Sequence, residues 1–326
     1  MPRQFKQEPP FCIQVELALG CNLACSFCGI NGIGYGKAKQ PLFMDMETAR
    51  AIAHNIQATG WTSRIEFARR GEPLLNPNAV DIIAVFRRHL PRTSLMMLTN
   101  GVPLVGQTRE HATALFDAGL NVLAVEEYDH APHGVGIRLG EHPPFAVYNY
   151  PEDPRGNPHT RRRHTARHLV LIKDIKSTST GTHSVLNNHG GYGSKLRQYA
   201  QPCAKPFREL SVNYDGTVNY CCIAWGGEGV CGNAATEDIT AMWNNARFNA
   251  VRRYLLHGQR TILTCKGCDH PSYRTGLLPD KKGQQREAYP TPTAATRRVI
   301  AEMEAEGHQV PPTAVYQKRR KEFEEE

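Results

Sequence analysis

The stretch GCNLACSFCGI at residues 20–30 places Cys21, Cys25 and Cys28 within eight positions, directly after the apolar run IQVELAL at 13–19. Such a run reads as a strand, so one loop at its C-terminal end delivers all three thiols to one place. Zinc sites usually show pairs of Cys or His that close four ligands. Here C-x3-C-x2-C supplies three convergent thiolates and no obvious fourth. An iron–sulfur cube held that way keeps one iron open to another ligand.

The chain that follows alternates strand and helix patterns. Strand-like runs recur at 63–68 (SRIEFA), 94–98 (SLMML), 121–125 (NVLAV), 145–150 (FAVYNY) and 168–172 (HLVLI). Counting the run at 13–19 as the first, helical patterns lie between the first four. MDMETARAIAHNIQATG offers Asp45 as N-cap and Gly60 as stop, NPNAVDIIAVFRRHL offers Asn76 as cap with Pro77 at the first helical position, and TREHATALFDAG ends on Gly119. Strands and helices in this rhythm imply parallel βαβ units in a barrel-like or doubly wound sheet. Active sites of such folds sit in loops at the strands' C-terminal ends, where the three cysteines lie.

The cell compartment decides how ten cysteines are read. No apolar run approaches the ~18–20 residues of a membrane span. Glu8, Pro9 and Pro10 interrupt the N-terminus before any apolar signal core. The expectation is therefore a cytoplasmic protein with no membrane association, whose clustered cysteines are metal ligands or catalytic groups rather than disulfides. They form two groups, Cys12 to Cys28 and Cys203 to Cys268, which suggests two sites.

With spacing and position together, the sequence resembles the radical S-adenosylmethionine (radical SAM) superfamily. There this motif after the first barrel strand binds a [4Fe-4S] cluster whose open iron chelates the amino and carboxylate groups of S-adenosyl-L-methionine. The resemblance implies an α/β fold with a partial (β/α)6 TIM-like barrel, and assigns Cys21, Cys25 and Cys28 to the cluster. Phe27 before Cys28 fits the same pattern. ARRGEPLL after the second strand resembles the family's Gly-Gly-Glu-Pro segment, with Gly71, Glu72 and Pro73 matching and Arg70 in place of the first glycine. By resemblance Glu72 and nearby backbone hold the cofactor's ammonium group, where a charge-assisted hydrogen bond would orient it. Asn100 in LTNG falls on the sulfonium or ribose side. The fourth strand departs from the family: Glu126, Glu127 and Tyr128 stand where relatives carry Ser-x-Asp, so no role carries over there. The segment after it is too rich in proline and glycine for the usual helix.

The second cysteine group resembles the SPASM domain, an auxiliary iron–sulfur domain of the superfamily. Cys203, Gly216 and Cys221 are followed by CKGC at 265–268, and no cysteines follow for a further cluster. This is the pattern of the shortened twitch version, with Cys203, Cys221, Cys265 and Cys268 holding one auxiliary [4Fe-4S] cluster. LSVNYDGTVNYCC reads as a hairpin turning at Asp215-Gly216, and MWNNARFNAVRRYLLHG as a helix, together a small C-terminal cluster-binding domain of hairpin plus helix. A zinc ribbon is the bland reading of the same four residues. Cys12 reads as a buried small hydrophobe. Cys222 could replace Cys221, and Cys231 is the free-thiol candidate for returning a hydrogen atom to a substrate radical, as a thiol does in some relatives.

These readings divide the chain into a radical SAM core at 1–180, an auxiliary domain at 181–280 and a peripheral helix with a partly disordered tail at 281–326. The resemblance implies reductive cleavage of S-adenosylmethionine to a 5′-deoxyadenosyl radical, hydrogen abstraction from an unactivated carbon, and oxidation, rearrangement or epimerisation aided by the auxiliary cluster. An external electron donor of flavodoxin or ferredoxin type is implied. The net charge of +8 and the run RRRHTARH at 161–168, with Arg161, Arg162, Arg163 and Arg167, make a nucleotide or nucleic-acid base a competitor to a neutral small molecule. The same run is equally a solvated turn. A peptide-modifying radical SAM enzyme is the alternative within the superfamily, set back by the want of a leader-gripping N-terminal module. A non-catalytic zinc protein binding nucleic acid is the alternative outside it.

Overall fold

The computed structural model describes residues 8–25, 28–36, 40–128, 143–150, 166–175, 203, 205–227, 229–256, 260 and 263–268. Phe27, Arg161, Arg162, Arg163, the segment at 129–142 and the expected tail helix lie outside them. The first strand, β1 (Cys12–Val15), is followed by β2 (Ala18–Leu19), a helical turn α1 (Gly29–Gly32) and β3 (Leu42–Phe43). Then come α2 (Met46–Ala58), β4 (Arg64–Phe67), α3 (Ala79–His89), β5 (Leu95–Thr99), α4 (Thr108–Asp117), β6 (Val122–Tyr128), β7 (Ala146–Tyr150) and β8 (His168–Ile175). The C-terminal part adds α5 (Lys205–Arg208), β9 (Glu209–Val212), β10 (Thr217–Asn219), β11 (Val230–Asn233), α6 (Ile239–Trp243) and α7 (Ala246–Leu256).

Local signals explain most of these boundaries. Asp45 caps α2 by accepting from the Thr48 N–H at 2.7 Å, an interaction worth about 1 kcal/mol. Ala49, Ile52, Ala53 and Ile56 form its buried stripe. Gly60 and Gly119 take the positive φ that ends α2 and α4. The α3 cap differs from expectation: Asn78 occupies it, and Pro77 stays outside the helix. Asn76 is drawn away because its Nδ2 donates to the carbonyls of Leu17 and Met44 at 2.8 and 2.9 Å, groups the sheet leaves buried. The single helix expected near 242–258 is two, broken at Asn244 and Asn245, where Asn245 Oδ1 accepts from the Phe248 N–H that opens α7.

One nine-stranded sheet runs β11-β10-β9-β1-β4-β5-β6-β8-β7. From β9 to β7 every neighbouring pair is parallel. This is the mixed α/β architecture of a partial, open TIM-like barrel. Two features were not legible beforehand. The hairpin β9–β10 does not stand apart but extends the barrel sheet, since β9 pairs in parallel with β1. At the other edge β8 inserts between β6 and β7. Leu169 and Leu171 of β8 are buried while Ala146 of β7 is exposed, so the more apolar strand takes the interior and the more polar one the edge.

Alternation along the strands sorts two faces. Ile13, Val15, Ile65, Phe67, Leu95, Met97, Leu123, Val125, Leu169 and Leu171 join the core beneath α2, α3 and α4, where Phe67 meets Phe86 edge to face at 5.2 Å. The opposite face lines the barrel interior and is polar as well as buried. Arg64 pairs with Glu66, and Gln14 Nε2 donates to Glu66 at 3.4 Å. Met96, Val122 and Val170 form a small apolar patch on the same face.

Candidate active site

The cysteine loop is built at the C-terminal end of β1. The Cys28 N–H donates to the Cys25 carbonyl at 3.0 Å, and Asn31 Nδ2 to the same carbonyl at 2.7 Å, which curls the loop into α1. Leu19, Ile30 and Trp225 pack against Cys21 and Cys28, so a tryptophan of the C-terminal part covers the first cysteine loop. Burial pushes the Cys21 thiol up and pushes Cys25 and Cys28 up to about 12; at Cys25 the neighbouring Cys28 and Cys21 add to it. Thiols so placed hold their protons until a metal centre displaces them.

The second strand's loop closes over this one. A Cβ on Gly71 would lie 2.2 Å from the Ala18 carbonyl oxygen and 2.5 Å from that of Gly20, so only glycine permits the approach. The Glu72 N–H then donates to the Gly20 carbonyl at 2.9 Å, and Pro73 opens a short 3-10 turn, Pro73–Leu75. The buried Glu72 carboxylate accepts from Thr99 Oγ1 at 2.6 Å, the Asn100 N–H at 2.7 Å and the Leu74 N–H at 3.1 Å. Burial pushes its pKa up to about 7 against these donors. A carboxylate has about four acceptor sites, and three are used, which leaves capacity for a cofactor's ammonium. Asn100 Nδ2 reaches Asn22 Oδ1 at 2.8 Å and Cys21 Sγ at 3.5 Å. Gly71, Glu72, Pro73 and Asn100 are therefore brought together against the loop of Cys21.

Glu126 is the residue sequence reading left without a role. It lies toward the C-terminal end of β6, on its interior face, and its charge raises the pKa of Cys25, Cys28 and Glu72. Its place at a barrel strand's C-terminal end was the available signal.

The other four assigned cysteines also meet. Cys203, Cys221, Cys265 and Cys268 line one cavity together with Lys205 and Arg260. The Ile223 N–H donates to Cys221 Sγ at 3.4 Å, and the Cys265 thiol donates to the Tyr220 hydroxyl at 3.8 Å. Among the described residues no three Cys, His, Asp or Glu side chains converge tightly enough for a single metal ion. Four thiols around one cavity form a donor set that an iron–sulfur cluster can take. Cys222 does not line the cavity; its thiol donates to Glu209, and Lys205 Nζ donates to it, both at 3.4 Å. Cys231 packs within the C-terminal core, its thiol donating to the Gly229 carbonyl at 3.4 Å, and burial raises it to about 11. None of those neighbours belongs to the first cysteine loop. Cys12 is fully buried, as expected.

Two arginines sequence reading did not assign join the sites. Arg70, at the position of the family's first glycine, forks onto Glu16 and also donates to Asn213 Oδ1 at 3.0 Å and the Trp225 carbonyl at 3.2 Å. Arg69 donates to Asn219 Oδ1 at 3.2 Å. No local pattern announces contacts made across some 150 residues; the replaced glycine was the one visible sign.

Comparison with known proteins defines the class. Residues 15–126 match the radical SAM superfamily and residues 203–269 the SPASM iron-sulfur cluster-binding domain. The chain is a radical SAM enzyme with an auxiliary cluster domain; a [4Fe-4S] cluster, S-adenosylmethionine and auxiliary iron–sulfur chemistry belong to it. Among individual proteins, it is 25% identical over 270 residues to the S-adenosyl-L-methionine-dependent 2-deoxy-scyllo-inosamine dehydrogenase of Niallia circulans, across 81% of this chain and 94% of that one. It is 35% identical over 109 residues to a GTP 3',8-cyclase of Streptomyces coelicolor, across 33% of this chain and 30% of the cyclase. The fold resembles the crystal structure of BtrN in complex with AdoMet and 2-DOIA, with TM-score 0.63 and 23% identity, over 83% of this chain and 97% of BtrN. Among the described residues no helix is long and apolar enough to cross a membrane.

Proposed function

We propose that this enzyme oxidises a hydroxyl-bearing carbon of a small polyhydroxylated substrate. In this reading Cys21, Cys25 and Cys28 hold the cluster that binds S-adenosylmethionine, and Cys203, Cys221, Cys265 and Cys268 hold one auxiliary [4Fe-4S] cluster. The supporting observation is the likeness to the 2-deoxy-scyllo-inosamine dehydrogenase, which extends over 81% of this chain and 94% of that relative. The cyclase likeness spans only a third of this chain and 30% of the cyclase, too little to carry a substrate. When bound, these groups supply a 5′-deoxyadenosyl radical that takes a hydrogen atom and a second centre that takes one electron.

The protein's own residues position and deprotonate. Glu72 and Asn100 orient the cofactor beside the loop of Cys21. Loss of hydrogen from a carbinol carbon acidifies its hydroxyl, and Glu126, on the interior face beside this site, accepts that proton. Tyr148 lies on the same interior face beside Val170 and offers its hydroxyl group toward the substrate, and the patch of Met96, Val122 and Val170 makes the barrel floor apolar. A low-potential donor of flavodoxin or ferredoxin type starts each turnover.

The test is anaerobic turnover of reconstituted protein with S-adenosylmethionine, a strong reductant and a panel of cyclitols, aminocyclitols, nucleotides and short peptides. A cyclitol or aminocyclitol should yield 5′-deoxyadenosine and a ketone together, with deuterium moving from the carbinol carbon into 5′-deoxyadenosine. Product formation with nucleotides or peptides and none with the polyols overturns the substrate class.

A further inference from the structure

Arg69 is the single non-glycine residue among those described with a left-handed φ, +125°. Such a conformation costs about 1–3 kcal/mol and persists only where the surroundings enforce it. Those surroundings belong to the C-terminal cysteines. Arg69 Nη2 donates to Asn219 Oδ1 at 3.2 Å and to the Ala224 carbonyl at 3.5 Å. These acceptors flank Cys221 by two and three residues, so the guanidinium sits in the loop that carries an auxiliary ligand.

This side chain makes no ion pair among the described residues. Its Nε and Nη1 are buried without an acceptor. Glu16 is held by Arg70, and Glu209 by Lys205. Burial lowers the Arg69 pKa to about 10, with Glu16, Cys222 and Cys221 opposing the fall. A buried cation with no carboxylate in direct contact is costly. A four-iron cluster on four thiolates is net negative in both redox states and gains one further negative charge on reduction.

We propose that Arg69 is a buried counter-charge of the auxiliary cluster, behind the Cys221 loop and additional to Lys205 and Arg260 in the cavity wall, and raises that cluster's reduction potential. Reduction is a one-electron step in which the external reductant loses the electron, the cluster gains it, and no proton moves. A fixed cation stabilises the reduced form more than the oxidised one, because the reduced form carries the larger negative charge. The strained turn serves this end by aiming Arg69 at the auxiliary loop while Gly71 and Glu72, two and three residues on, stay against the first cysteine loop. The inference rests on the assignment of Cys203, Cys221, Cys265 and Cys268 to one cluster.

The test is a redox titration of the reconstituted full chain followed by electron paramagnetic resonance, the first cluster being recognised by the change S-adenosylmethionine makes in its signal. Arg69→Gly relieves the backbone strain, since glycine accepts this φ, and so keeps the fold. In Arg69→Gly and Arg69→Gln the midpoint of the other signal should move to more negative potential, with Arg69→Lys returning toward the parent and the first cluster moving less. A parent-like midpoint in Arg69→Gly at full iron content overturns the inference. Loss of auxiliary iron in the Gly and Gln variants but not in Lys supports it by another route, whereas equal loss in all three overturns it. Iron for one cluster rather than two in the parent protein defeats the two-cluster assignment itself, a result distinct from an unshifted potential.

Discussion

Arg70 holds Glu16 in a fork, Nε to Oε1 at 2.7 Å and Nη2 to Oε2 at 2.6 Å, with both side chains buried. The same carboxylate accepts from the Tyr214 N–H at 3.3 Å, and Arg70 continues to Asn213 and Trp225. Burial opposes the charge on Arg70, but the fork and the charge of Glu16 raise its pKa on balance. The loop after β4 is thereby fastened to the C-terminal hairpin and to the tryptophan that covers the cysteine loop.

Breaking one side of that fork should cost more than removing both. Arg70→Met leaves Glu16 buried and unpaired, a loss of about 3–5 kcal/mol. The double variant Glu16→Gln, Arg70→Met should recover a large part of it. Urea unfolding of the two single variants and the double gives the coupling directly. Additive losses would show that the fork does not act as a unit.

The two cysteine sets should be separable by iron content. Replacing Cys21, Cys25 and Cys28 with Ala should remove about half of the iron and abolish cleavage of S-adenosylmethionine, leaving the auxiliary signal. Replacing Cys265 and Cys268 should remove the other half and leave the spectral response to S-adenosylmethionine. Zinc in place of iron after anaerobic reconstitution, at either site, would contradict the assignment of that site.

What was legible in the sequence was what neighbouring residues decide. Asp45 and Gly60 bound α2 as read, the Asp215-Gly216 turn joins β9 to β10 with Gly216 at φ +81°, and the cysteine loop follows β1. What was not legible depended on distant partners. Asn76 leaves its expected cap for carbonyls 59 and 32 residues away, and β8 enters the sheet ahead of β7 because burial, not chain order, ranks the two. The departure from glycine at Arg70 was visible, but its partners Glu16, Asn213 and Trp225 come from three other segments. The role of Glu126 likewise follows from its position on the interior face and not from any motif.

Gly71→Ala is the smallest change that should separate cofactor placement from cluster binding. The added methyl would meet the carbonyl oxygens of Ala18 and Gly20 at 2.2 and 2.5 Å, backbone that cannot step aside as a side chain can. The loop must move outward, carrying Glu72 with it. A displacement of about 1 Å near a reacting group costs roughly 100-fold in rate, so 5′-deoxyadenosine formation at saturating S-adenosylmethionine should fall by about that factor with iron content unchanged. Parent-level turnover would mean the loop does not position the cofactor.

Glu72 makes cofactor binding sensitive to pH near neutrality. Burial pushes its carboxyl up to about 7, despite donors from Thr99, Asn100 and Leu74 that pull it down. A raised carboxyl favours the folded state fully below its unfolded value near 4.5, and that contribution is lost as pH rises through about 7. A hydrogen-bonding amino group of S-adenosylmethionine reverses the preference, because it is held best by the ionised carboxylate. Affinity should therefore be about tenfold weaker at pH 6 than at pH 8. Glu72→Gln keeps the shape but cannot ionise, so it should bind weakly at both pH values and flatten the profile. Equilibrium binding of S-adenosylmethionine to the reconstituted parent and variant over this range checks it. A variant that keeps the parent's slope would assign the titration to another group and leave Glu72 as a structural anchor for the turns after β4 and β5.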